Sequence, residues 1–395
     1  MYILVIGNGF DLAHELPTKY TDFLEFIKAI KQIINYSYIN NMAWETIHPD
    51  IKEIIEDNMK NKRNNLFSQK EYWKKLIDNN FWIEYFSQCN TYQKENWIDF
   101  ETEISNVIKS IDTDMKKEDF DKQIADLSNK YLKEKYLFNG YGSLFTNENG
   151  EKGGKQEITF RCLKDCLLDD LNKFIRAFEI YLSEYVQKID INFFSSDIVK
   201  SFLMPYKKDD NYKGDKNKII NFNYTNTFKR HYLHKFGIYV NDDDMDYIHG
   251  KADISNTIES NNMVLGIDEY LSDDRKNKDV EFVAFKKFYQ RIYKQTGCKY
   301  KEWIDEIKAD KNQKHYLYIF GHSLDITDKD ILRDLILNDN VYTTIFYPDK
   351  EELGRKIANL VKVIGQDELI KRTGGSTKTI EFKLQEPMCI DAHDC

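Results

Sequence analysis

The first eleven residues constrain this chain most. YILVI (2–6) is a short apolar run that stops at Gly7-Asn8-Gly9. A run of that length, closed by turn residues, reads as a buried strand. Glycines open backbone conformations closed to other residues and let main-chain amides approach a ligand. A helix beginning near Phe10 or Asp11 would add free N–H groups and a positive dipole end. Strand, glycine turn and helix in that order suit a nucleotide-like ligand, with Gly7, Asn8, Gly9, Phe10 and Asp11 as candidate binding residues. The third glycine of the dinucleotide fingerprint is missing, and Leu12 or Ala13 stands near its place. A plain tight turn is therefore the alternative. Asp11 would repel a pyrophosphate, so it is expected to face a ribose, a cation or a backbone cap.

The rest of the chain falls into two patterns. From Asp22 to about residue 204 apolar residues recur at helical spacing, as in Phe23, Ile27, Ile30 and Ile34. Trp97, Phe100, Glu101, Ile104 and Ile108 share one helical face, and 160–188 continues the period. The glycine-rich stretch 139–155 reads as a surface loop or a lid. Strand signals return after the charged linker 207–218, at 219–223, 246–250, 263–266, 316–321 and 341–347, with helices expected at 275–296 and 327–337. Alternating strands and helices imply an α/β fold with a mostly parallel sheet covered on both faces. The simplest arrangement is a Rossmann-like core (1–21 plus 205–365) interrupted after its first strand–helix unit by a helical insertion (22–204). A C-terminal strand (379–384) and tail complete residues 366–395. The strand 2–6 is then interior, and the insertion packs over the strand ends.

Composition narrows the function classes. Hydrophobic residues at 41% support a large core, and a net charge of −9 argues against a nucleic-acid or anionic-membrane binder. The sequence has no apolar run of about 18 residues and no basic leader, so a cytoplasmic protein is expected. Six cysteines in 395 residues make no disulfide framework. Cys162 and Cys166 read as core. Cys389, His393 and Cys395 share the tail without a matching fourth ligand, so no metal site is expected.

Four further motifs carry chemistry. In NFNYTNTF (221–228) Asn223 can hold a ribose hydroxyl and a water together, although capping of the next helix by Asn223 or Thr225 is the simpler reading. His249 in YIHGK ends a strand and suits a general base, with His14, His231, His234 and His322 as competitors. Gly321, His322, Ser323 and Asp325 form a second strand-end loop fit for ribose or phosphate, while Thr327 with Asp330 looks like a capping box. Glu101 is an acid on an apolar face and needs a partner, either a structural Lys or Arg or a site.

ILVIGNGFDLAHELPTKYTDF, WIDFE, NFNYTNTF, YIHGK, LGIDE and FGHSLDITD occur in order from residue 3 to about 330. Together they resemble the AbiH family of bacteriophage abortive-infection proteins. The order of glycine loop, Asn-bearing strand end, His-Gly and Gly-x-Ser is also similar, more distantly, to sirtuin-like NAD-consuming defence enzymes. That resemblance implies Asn223 and His249 as catalytic residues. It implies Gly7, Asn8 and Gly9 at the pyrophosphate, and Gly321 and Ser323 at a ribose. Thr225 stands where those enzymes usually have Asp, and the zinc ribbon of the deacetylases is missing.

The expected function is a phage-defence effector that hydrolyses NAD or a related nucleotide at the nicotinamide–ribose bond, with no tightly bound cofactor. His249 would activate water, Asn223 would orient it, and Asp11 or Asp325 would stabilise the cation. The alternatives are a non-catalytic nucleotide sensor acting through a protein partner and, less well supported, a nuclease or other hydrolase. A phage-encoded trigger or a host protein fits as partner, and self-association stays open.

Overall fold

The computed structural model describes residues 1–36, 44–60, 69–89, 98–115, 160–203, 217–236 and 240–390. Trp97, the stretch 139–155, His393 and Cys395 lie outside the described residues.

The strand β1 (Tyr2–Ile6) is followed at once by α1 (Asn8–Ala13), two residues ahead of the expected helix start. The helical part comprises α2 (Tyr20–Tyr36), α3 (Pro49–Lys60), α4 (Lys70–Ile77), α5 (Phe81–Gln88), α6 (Phe100–Met115) and α7 (Phe160–Glu184). Asp22 accepts from the Lys19 amide at 3.0 Å within the first turn of α2, which therefore starts earlier than the sequence suggests. In α7, Leu163, Leu167, Leu171, Phe174 and Phe178 form the buried stripe. That stripe meets Phe23 of α2 and the ring of Phe100 of α6. Cys162 and Cys166 are only partly buried against this core.

After the short β2 (Phe194–Ser195) come β3 (Asn217–Asn221), β4 (Met245–Tyr247), α8 (Lys287–Tyr293), α9 (Tyr300–Ala309) and β5 (His315–Phe320). The chain closes with α10 (Lys329–Ile336), β6 (Val341–Tyr347), α11 (Lys350–Ile364), α12 (Gln366–Thr373), β7 (Ile380–Leu384) and β8 (Met388–Cys389). Six strands form one sheet in the order β4-β3-β1-β5-β6-β7, and every pairing is parallel. β1 therefore lies between β3 and β5. Its side chains alternate between two cores, Leu4 and Ile6 on the helical side and Ile3 and Val5 on the other. Two-sided burial explains why this strand reads as continuously apolar. Among the described residues, none between β1 and β2 joins this sheet, and β2 pairs only with β8, antiparallel. No helix of the described residues is long and apolar enough to cross a membrane.

Several expected elements shift for local reasons. β3 ends at Asn221 because that side chain accepts from the Asn223 amide and donates to the Thr225 carbonyl, closing a turn. Residues 263–266 form no strand; Val264 bonds to the His249 carbonyl and Leu265 to the Gln290 side chain. The long helix expected at 275–296 is confined to α8. Lys286 takes an extended backbone (φ −85°, ψ 137°) and bridges Ile267, which interrupts the helical path. The C-terminal strand is no appendage, since β7 extends the sheet beside β6.

Because β1 is buried on both faces, Leu4→Ala should destabilise the protein by about 2–5 kcal/mol. Leu384→Ala, on the half-exposed edge strand, should change stability by no more than about 0.5 kcal/mol. Urea unfolding of both variants checks the pair.

Candidate functional site

Ligands of open parallel sheets bind where the strands end. Here a cleft of about 850 Å³ lies at that edge. Each of the six strands contributes a residue just past its end: Gly7, Phe222, His249, Gly321, Pro348 and Gln385. Tyr20, Glu101, Phe178 and Leu182 bring the helical part to the same cleft. It contains Gly7, Asn8, Gly9, Asp11, Asn223, Thr225, His249, Gly321, His322, Ser323, Asp325 and Glu101 together. Phe10 does not belong to it. Its ring points into the core against Phe228, Tyr232 and Phe320, as its apolar surface requires.

The glycine turn is built differently from its expectation. The Gly7 amide donates to the Phe320 carbonyl at 3.2 Å and the Gly9 amide to the Gly321 carbonyl at 2.8 Å. A Cβ on Gly9 would lie 2.8 Å from Gly321 Cα, and one on Gly7 2.8 Å from His322 Cα. Gly321 itself has φ +69°. These glycines let the loops after β1 and β5 touch, and two amides expected to hold phosphate are engaged within the protein. Asn8 accepts from the Thr18 hydroxyl at 2.7 Å.

Asp11 is buried behind this turn. Its Oδ2 accepts from the Thr225 hydroxyl at 2.5 Å, and the Thr227 hydroxyl donates to Thr225 at 3.2 Å. Neither Asn223 nor Thr225 caps the next helix, since Thr225 is turned to Asp11. Burial pushes the Asp11 carboxyl up to about 6, against the pull of Thr225, Thr227 and the neighbouring Asn223. Asp11 Oδ1 and Asn223 Nδ2 are shut off from solvent, with the Asn223 side chain acting on the Asp11 carboxyl.

The other half of the site centres on Asp328. Its carboxylate lies 3.1 Å from His249 Nε2, 3.4 Å from His322 Nε2 and 3.6 Å from Lys287 Nζ. All four residues are buried. His322 Nδ1 accepts from the Leu324 amide at 2.9 Å, so its Nε2 carries the proton toward Asp328. Burial raises the Asp328 pKa, but Lys287 and then His249 outweigh it and hold the carboxyl well below the usual range. Burial lowers the His249 pKa, with Asp328 opposing, so the ring is neutral near pH 7. Lys287 also contacts Glu101 at 2.8 Å. Burial pushes Glu101 up to about 7 despite Lys287. Asp328 therefore carries the charge opposite Lys287, and Glu101 stands near half-protonation. Glu101 thus has the structural lysine its helical position demanded and also faces the cleft.

Ser323 is exposed on the cleft wall. Asn359 holds its carbonyl at 3.0 Å, and Lys356 holds that of His322. Asp325 accepts from the Thr327 amide at 3.0 Å, so Asp325 and not Thr327 is the capping residue. Of the competing histidines, His14 is buried between the Phe10 carbonyl and the Tyr232 hydroxyl, and neither His231 nor His234 lines the cleft. Sequence reasoning missed Asp328 and Lys287. Asp328 ends the GHSLDITD block and was legible as an unassigned acid; Lys287 sits in an ordinary charged helix without signal. Among the described residues, no three His, Cys, Asp or Glu side chains are grouped to hold a metal.

A family model for bacteriophage abortive infection AbiH matches residues 3–347. The chain belongs to the AbiH family. No curated protein and no solved structure matches it. The AbiH match runs from β1 through β6, so it includes the glycine turn, Asn223, His249 and Asp328, while Asp349, Glu352, Lys356 and Gln385 of the cleft lie beyond it. The description concerns phage defence and names no reaction or ligand, and the likeness to NAD-consuming enzymes has no counterpart among the matches.

Two stability effects follow for this AbiH protein. Folded Asp11, at about 6, keeps a proton that an ordinary aspartate at 3.8 has released. Stability is therefore lost as pH rises from about 4 through 6, by on the order of 3 kcal/mol for this group. Asp11→Asn should gain on the wild type across that window, read as the difference between their denaturant midpoints at pH 4 and pH 7. Asp328→Asn leaves the Lys287 ammonium with Glu101 as its one remaining carboxylate and should cost up to about 3 kcal/mol. Adding Lys287→Met should recover part of that loss in the same unfolding assay.

Proposed function

We propose that this AbiH protein is a phage-defence effector that binds NAD or a related nucleotide in the cleft and hydrolyses its nicotinamide–ribose bond. The observation that carries the reading is the neutral, buried His249 imidazole held by Asp328 in the same cleft as Asn223. An ionised Asp328 accepts from His249 Nε2–H and leaves Nδ1 as the basic nitrogen. Cleavage at C1′ passes through an oxocarbenium-like state. Water attacks C1′ and gives its proton to His249 Nδ1. The C1′–N bond breaks with its electron pair going to nicotinamide, which leaves neutral. Asn223 orients the water and the ribose. Glu101, near half-protonation, supplies a proton to a leaving base that lacks its own positive charge.

The charge of the cleft favours the cationic end of such a ligand. Seven carboxylate residues line it against two lysines. Asp11, bonded to Thr225, brings a carboxylate beside the position where sirtuin-like enzymes have Asp. With the Gly7 and Gly9 amides engaged, the pyrophosphate lies toward Asn8 and Ser323. We read the sheet as a Rossmann-like core with the helical part inserted after α1, acting in the cytoplasm under a phage-encoded trigger or a host partner.

His249→Ala should lower NAD hydrolysis by about 10²–10⁴-fold and largely spare binding. Incubation of the pure protein with NAD and chromatography of nicotinamide and ADP-ribose tests this. Equal turnover by wild type and variant would sink the assignment of His249. Binding without turnover in the wild type would instead favour the non-catalytic sensor.

A further inference from the structure

The helical part meets the cleft through an aromatic wall that the hydrolytic scheme leaves without a task. Tyr20 of α2, Phe178 of α7 and Tyr224, just past β3, all line the cleft. Their rings hold one another in place. Tyr20 and Tyr224 each meet Phe178 edge-on, at 5.8 and 5.7 Å between ring centroids. Tyr20 is backed by Phe100, stacked at 4.1 Å. The Tyr224 hydroxyl donates to the Val264 carbonyl at 2.7 Å, and its ring lies 6.3 Å from that of His249. Phe178 is buried, whereas Tyr20 and Tyr224 stay partly exposed. Burial pushes both phenol groups well above their usual pKa, so the wall presents neutral rings.

Carboxylates border the same wall. Asp99 and Glu101, both partly exposed, stand at the start of α6 and act electrostatically on the Tyr20 hydroxyl. Asp99 accepts from the Glu101 amide at 3.0 Å and the Thr102 hydroxyl at 2.7 Å, two neutral donors that leave its charge in place. Aromatic faces bordered by acids favour one kind of guest. A flat ring stacks on them, and a positive charge on that ring is attracted by both the π faces and the carboxylates. A phosphate is repelled by the acids, and an aliphatic cation forgoes the stacking. We propose that Tyr20 and Tyr224, with Asp99 alongside, form the subsite for a planar, positively charged leaving base, so that the cleft takes the pyridinium ring of an oxidised nicotinamide nucleotide in preference to the neutral dihydropyridine of the reduced one. This inference rests on the N-ribosyl reading of the cleft. The wall adjoins both groups assigned to the cleavage, His249 beside Tyr224 and Glu101 next to Tyr20.

Isothermal titration at pH 7.5 with NAD and with NADH tests the subsite. The His249→Ala background removes turnover of the probe. NAD should bind about five- to thirtyfold more tightly than NADH. Tyr20→Leu and Tyr224→Leu keep apolar bulk but remove the ring, and each should lose most of that preference; Tyr20→Phe, which keeps the ring, should retain it. Asp99→Asn, nearly isosteric, should narrow it. Circular dichroism and thermal melts establish that each variant is folded. Equal binding of NAD and NADH, or a preference that survives in folded Tyr20→Leu and Tyr224→Leu, overturns the subsite while NAD turnover by wild type upholds the hydrolase reading. Should neither leucine variant fold, Asp99→Asn decides, and an unchanged preference there overturns the subsite. A preference for NAD lost in the leucine variants of a protein that never cleaves NAD supports the subsite and overturns hydrolysis. Folded wild type that binds neither compound overturns both.

Discussion

One buried ammonium holds the two sides of this cleft in register. Lys287, on the helix that precedes the second half of the sheet, contacts Glu101 from the helical part and Asp328 from the loop after β5. A cation so deeply buried is tolerable only with carboxylates against it. The charge that satisfies Lys287 resides mainly on Asp328, and the ionised Asp328 in turn sets the orientation of His249 and His322. Glu101 keeps a raised pKa because burial outweighs the pull of the same Lys287. Lys287 thus links the helical part to the loop after β5 in this half of the site.

The glycine turn contributes at the level of the backbone. Gly7 and Gly9 are small because Gly321 and His322 press against them, and their amides close that contact. β1 and β5 are neighbours in the sheet, so their outgoing loops must pass each other in a narrow space. The loops that result carry Asn8 and Asp11 on one side and His322, Ser323 and Asp328 on the other. A pattern associated with phosphate binding thus has a packing function in this chain, and the polar chemistry moves to side chains.

That shift bears on what an AbiH protein of this kind handles. The cleft is predominantly acidic, and its lysines are engaged with the protein itself. Carboxylates near a developing positive charge stabilise it, whereas they oppose a multiply charged anion. Such a lining favours positive over negative charge in whatever occupies the cleft.

Much of the fold was legible in the residues. The run 2–6, followed by Gly-x-Gly, predicted an interior strand because only burial on both faces makes so short an apolar run useful. The 3.6-residue period of 160–188 predicted α7, since a long amphipathic stripe has few other solutions. Candidate site residues could be named wherever a strand-like run ended in a polar group, as at Asn223, His249 and Ser323. Strand order, the inclusion of β7 in the sheet, and the break of the 275–296 helix at Lys286 depended on partners distant in sequence, and local periodicity carries no record of them. The turning of Phe10 into the core, the engagement of the Gly7 and Gly9 amides, and the meeting of Lys287 with Glu101 and Asp328 were likewise decided by tertiary structure. Sequence alone determined elements such as β1, α7, β5 and β6 and the polar groups just past the strand ends, because those depend on neighbours along the chain. Which of these groups are charged, paired or left open to a ligand was settled only when packing removed the water between them.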